Sequence, residues 1–299
     1  MPQILIPDWS SAQERAFRRS PMTFAHRLRD TGLVEDEALA KLLDDYPAEL
    51  YDINLFDFDN DGRMTLRTGA RGRLPGDEVL EGVKQGRMWL QLRSVHEHHP
   101  ALGRAVIQAY DELARYNPSF RPVQMTGQLI LSAPQAKVPF HVDAPGVILF
   151  HLRGRKRLWI YPSDEAHMPQ RAMEDIMLKQ TSEDLPYSRA MDSAAQVVEL
   201  EEGFAATWPL HAPHRVENVE GFNVSLSTDY QTWGSRLTNG AHYANGVFRR
   251  WGLPIAAMEK TPIAARAGLW AVGSMLRRAG VVEGRIHAFE RSFELGVEA

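Results

Sequence analysis

Between Val123 and about Thr232 the chain breaks into short runs rich in β-branched and aromatic residues, and this texture constrains its fold more than any other feature. The runs are QMTGQLILSA, GVILFHLRG, KRLWIYP, AQVVELEEG, FAATWP and FNVSLSTDY, broken by Gly and Pro. Short strands with frequent turn signals imply an all-β barrel or sandwich. A more irregular stretch, 163–195, carries mixed charge and several Met residues between the two halves of this zone, and reads as a lid or substrate loop.

The flanks read differently. VEDEALAKLLDDY and the stretch from Pro100 to Tyr116 place apolar residues at helical spacing with charges between them. Between them, NLFDFDNDGRMTLRTG has an Asp61-Gly62 turn inside alternating residues, the pattern of a hairpin. From Trp233 a helical pattern returns, with Thr261 as cap, Pro262 as first helical residue and Gly280 as stop. Its apolar face, Ile263, Leu269, Trp270, Val272 and Leu276, is expected to pack on the barrel or on a second copy in a homodimer. The organisation expected is therefore an N-terminal helical region with a hairpin over 1–122, a β core over 123–232 with the 163–195 insertion, and a C-terminal helical region over 233–299.

Composition excludes several classes. The 299 residues are 44% hydrophobic, ample for a real core. Lys+Arg 34 against Asp+Glu 38 gives a net charge of -4, which marks no nucleic-acid binder. With Cys 0 there is no disulfide, thiolate metal site or cysteine nucleophile, so His and carboxylate are the strong metal ligands left. The N-terminal residues lack a basic segment ahead of a long apolar one, and the stretch Pro262 to Leu276, interrupted by Arg266, is shorter than the roughly 20 residues that span a bilayer. The expectation is a cytoplasmic protein with no membrane or nucleic-acid partner.

Inside the β zone, His141 and Asp143 stand two apart in VPFHVDAPGV, and His214 follows far downstream in WPLHAPHRVEN. Residues two apart on a strand project from one face, so the first pair can turn toward one ion at a strand end. Two imidazoles and a carboxylate on one side of a metal leave the other side open, as in non-haem Fe(II) oxygenases that bind an organic acid and O₂ together.

The residues that follow resemble the cupin-like, JmjC-related branch of the Fe(II)/2-oxoglutarate oxygenases, and around the metal motif its asparaginyl hydroxylases. In that family H-x-D leads to an apolar strand, then G-x-K and a hydrophobic strand ending in Y/F-P; here these are His141-Val-Asp143, GVILFHLR, Gly154-Arg-Lys156 and RLWIYP. The second half matches Gly203, Pro209 and His214-Arg-Val216-Glu217-Asn218. The likeness covers roughly Met125 to Asp229. It implies a double-stranded β-helix, a cupin-like jelly roll flanked by helices, with His141, Asp143 and His214 as iron ligands. It also implies that Lys156, otherwise a surface lysine in RGRKR, pairs with the distal carboxylate of 2-oxoglutarate. Val138 stands where those hydroxylases carry a threonine, and Ser227 where they carry an asparagine. Ser227, with Ser225 and Asn223 on the same alternating face, is a further candidate for the cosubstrate pocket.

The activity implied is hydroxylation of a C–H bond in a protein, peptide or small-molecule substrate, using Fe(II), 2-oxoglutarate and O₂ and releasing succinate and CO₂. Two alternatives remain open at this level: a non-oxidative metal-dependent cupin, isomerase or hydrolase, and a non-enzymatic sensor or binding module. Among the other residues weighed, His211 competes with His214 but sits in the Pro209 to Pro213 turn. His151 is expected to face the pocket, and His96, His98 and His99 to form a solvated loop. Asp57, Asp59, Asp61 and Gly62 imitate the start of a calcium loop, yet its final ligand position holds Thr68, not Glu. Arg-rich RGRKR and the pairs at 249–250 and 277–278 read as solvated edges.

Overall fold

Two long bent strands, β7 (Gly146–Ile160) and β10 (His214–Thr232), organise the molecule. It is seen here in a computed structural model that describes residues 4–32, 34–58, 64–286 and 291–296. The remaining strands are β1 (Met22–Ala25), β2 (Tyr51–Phe58), β3 (Met64–Gly69), β4 (Met88–Leu92), β5 (Pro122–Ser132), β6 (Lys137–His141), β8 (Gln196–Glu201) and β9 (Phe204–Thr207). The α-helices are α1 (Ser11–Ala16), α2 (Asp36–Asp45), α3 (Gly76–Gln85), α4 (Val95–His98), α5 (Pro100–Tyr116), α6 (Gln170–Met177), α7 (Trp233–Arg250) and α8 (Ile263–Arg278).

The first half of β7 pairs antiparallel with the second half of β10, opposing Leu149 to Ser227 and Val147 to Asp229. The second half of β7 pairs with the first half of β10, opposing Lys156 to Asn218 and Ile160 to His214. Each strand thus passes from one sheet to the other. The larger sheet runs β1-β9-β7-β10-β5-β4-β2-β3, and in the smaller one β8 joins β7 while β6 joins β10. Facing sheets that share their central strands make the expected double-stranded β-helix, with helical additions.

GVILFHLRG and KRLWIYP, read as two strands, are one. Gly154 is where β7 turns: its φ is 86°, and a Cβ there would stand 2.8 Å from both Asn223 Cγ and Phe222 O. Only glycine satisfies both the left-handed backbone and the close approach. HRVEN and FNVSLSTDY likewise fuse into β10 across Gly221, with φ 63°.

Period-two alternation then separates two cores. Val224, Leu226 and Tyr230 of β10 pack outward with Leu129 and Leu131 of β5, Leu39 and Leu43 of α2, Val79 and Val83 of α3, and Leu102, Val106 and Leu113 of α5. Between the sheets lie Val147, Leu149, Leu158, Ile160, Val198, Leu200, Ala206, Trp208 and Val216. The first half of the chain does more than cover this barrel. β1 pairs with β9 and β4 with β5, so the large sheet runs continuously from residues before 122 into those after it.

Several local expectations change. The cluster His96, His98 and His99 is not a solvated loop: it forms α4 and the cap of α5, with His99 Nδ1 accepting the Leu102 N–H at 3.2 Å and His96 Nδ1 the Gly127 N–H at 3.0 Å. The hairpin forms as β2 and β3, but the Asp59-Asp61 tip lies outside the described residues. α8 begins at Ile263 with Pro262 as its cap, one residue later than expected. It packs on α7 and not on the barrel, with Leu276 beside Tyr243 and Val247, while Ile263 is 58% exposed. Arg249 is no free edge either, since its Nε reaches the buried Glu174 of α6 at 2.6 Å. Among the described residues, no helix is long and apolar enough to cross a membrane.

Candidate metal centre and cosubstrate pocket

His141 ends β6, and His214 begins β10 directly opposite it. Their ring centroids are 4.1 Å apart. Asp143, two residues past His141 in the loop that leads to β7, aims its carboxylate between them: Oδ1 is 3.8 Å from His141 Nε2 and Oδ2 3.3 Å from His214 Nε2. One ligand atom from each of the three lies within 4.8 Å of the others.

Both imidazoles are held from behind through Nδ1, His141 by the Pro139 carbonyl at 2.8 Å and His214 by the Ala212 carbonyl at 3.3 Å. A backbone carbonyl only accepts, so each Nδ1 carries the proton and each Nε2 presents its lone pair to the centre. Burial holds the pKa of His214 down to about 4, keeping it neutral as a metal ligand must be. Trp208 lies against its ring, 4.4 Å between centroids.

A cavity of about 750 Å³ opens from this centre, with Lys156, Ser227, Asp229, Gln128, Asn218 and Glu183 in its walls. Lys156 is 5% exposed, and burial alone lowers its pKa, to about 8. Among the described residues no carboxylate neutralises it. A buried ammonium without a counter-ion is costly, and an anionic ligand entering the cavity supplies the missing charge. Asp229 is pushed the other way, up to about 7, first by burial and then by Asp143 and Glu183; Glu183 is raised for the same reasons. Three carboxyl groups, those of Asp143, Asp229 and Glu183, crowd this end of the cavity, a deficit of positive charge. A divalent cation fits that deficit, and the all-nitrogen-and-oxygen donor set suits iron, which three protein donors leave with free positions.

Of the remaining candidates, Ser227 lines the cavity, whereas Ser225 and Asn223 do not. β10 keeps its alternation through this stretch, pairing residue for residue with β5 from Asn223 to Gln231, so both share the face of Ser227 but lie nearer the Gly154 bend. Ser225 Oγ instead pairs with His151 Nδ1 at 3.0 Å, and Asn223 Nδ2 donates to the carbonyls of Glu220 and Gly221. His151 is fully buried beyond the cavity wall. His211 is outside the metal group and bonds Asn239 through Nε2 at 2.7 Å. Val138 lines the cavity and offers no hydroxyl there.

The sequence reading missed Asp229 and Trp208. Asp229 was within reach, two residues beyond Ser227 on the same face; nothing in sequence pairs Trp208 with His214. The 163–195 segment is no detached lid. Glu183 O accepts the Val142 N–H at 3.1 Å and Phe140 O accepts the Leu185 N–H at 3.0 Å, laying the segment along β6.

No family model matches the sequence, and no curated protein shows significant sequence similarity to it. Solved structures do match. The E. coli protein YcfD superposes with a TM-score of 0.50 at 16% identity, over 92% of this chain and 69% of that one. YcfD described as a ribosomal oxygenase, in complex with cobalt and 2-oxoglutarate, matches at 18% identity and the same TM-score, over 92% and 68% of the two chains. The chain shares the fold of these structures. A further YcfD structure, with cobalt and succinic acid, agrees at 16% identity, TM-score 0.50, and 92% and 68% coverage. At these identities the likeness speaks for architecture, and the chemistry rests on this chain's own residues.

Proposed function

We propose that this chain is an Fe(II)- and 2-oxoglutarate-dependent oxygenase that hydroxylates a C–H bond of its substrate. One observation carries the reading: the cavity wall that holds the convergent nitrogens of His141 and His214 and the carboxylate of Asp143 also holds Lys156, a buried cation with no counter-ion among the described residues. A non-oxidative cupin has no need of a cosubstrate cation at that place, and a plain binding module has no need of the convergent His141, Asp143 and His214. The YcfD complexes with cobalt and with 2-oxoglutarate support the same pairing of metal and dicarboxylate in this architecture.

The iron, when bound, supplies the oxidising chemistry that couples O₂ and 2-oxoglutarate, yielding succinate and CO₂, to substrate hydroxylation. His141, Asp143 and His214 hold it from one side. Lys156 grips the distal carboxylate through a charge-assisted contact, with Ser227 as a hydroxyl neighbour in the same wall. Val147, Leu149, Trp208 and Val216 keep that end apolar, so the contact is little screened by water. The substrate occupies the part of the cavity lined by Trp89 and Gln91 of β4, Asn54 of β2 and Thr68 of β3. YcfD, as a ribosomal oxygenase, makes a protein side chain the first substrate class to examine.

Anaerobic titration with Fe(II) and 2-oxoglutarate, followed by aerobic incubation and quantification of succinate, tests the proposal. Turnover that needs both additions supports it. A protein that neither binds 2-oxoglutarate nor forms succinate with any substrate overturns it.

A further inference from the structure

We propose that Asn239, on the outer helix α7, is a positioning residue that ties together the two loops carrying Asp143 and His214. The inference builds on the metal reading above. Asn239 Nδ2 donates to the carbonyl of Ala144, the residue after Asp143, at 2.8 Å, while its Oδ1 faces His211 Nε2 at 2.7 Å. His211 lies three residues before His214. One amide therefore bonds the loop behind the carboxylate and the loop ahead of the imidazole, using both ends of its side chain. One loop joins β6 to β7 and the other β9 to β10, and Ala144 and His211 both lie outside the strands.

The direction of the bonds is fixed by chemistry. Ala144 O accepts only, so the amide nitrogen must face it, and the amide oxygen then takes the Nε2–H of His211. Burial keeps His211 neutral, with its pKa lowered to about 4. His211 also adopts a left-handed backbone, φ 62°, which a residue with a Cβ rarely takes. That conformation directs its ring at α7, away from the metal group, against His242 at 5.5 Å between centroids. The α7 end of this relay is set by the Thr232–Ser235 capping box, which starts the helix directly at the end of β10.

A partner of this kind fixes a ligand without touching the metal, and its loss in other metal sites weakens binding about 10- to 100-fold. The test is anaerobic Co(II) affinity and the Co(II) absorption spectrum, with thermal unfolding followed in parallel, for wild type, Asn239→Ala, His211→Gly and Thr238→Ala. His211→Gly is the informative variant: glycine relieves the left-handed backbone, which offsets part of the cost of losing the buried ring, and the parallel thermal unfolding separates any remaining loss of stability from loss of the relay. Thr238 precedes Asn239 on α7; its hydroxyl donates to Gly234 O at 2.9 Å and accepts from Arg266 of α8, so Thr238→Ala perturbs α7 and its α8 contact while leaving both Asn239 bonds in place.

Asn239→Ala and His211→Gly are expected to bind Co(II) about 10- to 100-fold more weakly, with an altered spectrum, and the double variant no more weakly than either single one. Thr238→Ala is expected to bind as wild type does. Wild-type affinity in both relay variants, or equal weakening in Thr238→Ala, overturns the inference and leaves the metal reading intact. A wild-type chain that binds no Co(II) overturns both.

Discussion

His141 and His214 are Cα partners across the antiparallel pair of β6 and β10, with Asp143 facing both rings. The candidate metal centre is therefore made by strand register: a slip of one residue in either strand would turn one imidazole to the opposite face.

Removing a ligand should separate metal binding from folding. His141→Ala and Asp143→Ala are expected to abolish Co(II) binding while the protein unfolds as cooperatively as wild type, because both side chains are partly exposed. His214→Ala is expected to cost stability as well, since His214 is 3% exposed and packs on Trp208. Calorimetric titration and thermal unfolding of the three variants check this.

Lys156 should trade stability for cosubstrate binding. Its pKa falls from 10.5 in the unfolded chain to about 8 in the fold. Between these values the unfolded chain holds more protons, so stability rises with pH through that window; below about pH 8 the cost is fully present, and it amounts to about 3 kcal/mol. Lys156→Met is expected to stabilise the ligand-free protein at pH 7 by up to about that much, and to lose 2-oxoglutarate binding. Denaturant unfolding at pH 7 and at pH 10 checks the first effect, because the gain should shrink at the higher pH. Wild-type affinity for 2-oxoglutarate in the variant would remove the anchor from the mechanism.

Trp208 should report the metal. With its ring 4.4 Å from that of His214, a paramagnetic ion bound beside Nε2 will quench its fluorescence. Titrating wild type with Co(II) is expected to lower the emission, and Trp208→Phe to remove most of the change although six other tryptophans remain of the Trp 7 in the chain.

Arg215 should hold the 163–195 segment in place. Its guanidinium lies 3.4 Å from the Trp159 ring centroid and reaches Asp192 at 3.0 Å and Glu217 at 2.9 Å. Lysine cannot make this stacked, forked set of contacts. Arg215→Lys is expected to cost about 1–2 kcal/mol and to speed proteolytic cleavage between Gln180 and Ala195. Unchanged cleavage would show that the pairing along β6 holds the segment alone.

Much of this was legible before any coordinates. Leu39, Leu42 and Leu43 mark the buried face of α2, and Pro100 marks the start of α5, because helix periodicity and capping are local. The strand runs were visible for the same reason. Their fusion was not, because Gly154 and Gly221 look like turn signals; the bend they allow is used to carry one strand from sheet to sheet. Ser225 and Asn223 do share the face of Ser227, but how far the cavity extends along that face, and that His151 takes up the Ser225 hydroxyl, depends on neighbours from other strands. The packing of α8 on α7 depends on surfaces that meet only in three dimensions.

The sequence by itself determined the residue types available for chemistry: His and carboxylate in place of thiolate, the His141–Asp143 spacing, and one lysine in the β zone's second strand half. It also determined where helices and strands form, since backbone preference and side-chain alternation act over a few neighbours. Tertiary structure alone decided that His214 stands opposite His141, that Lys156 is buried with no counter-ion among the described residues, and that Asn239 reaches two loops distant in the chain. Those are matters of register, burial and approach between remote segments, and they are fixed only when the two sheets close on each other.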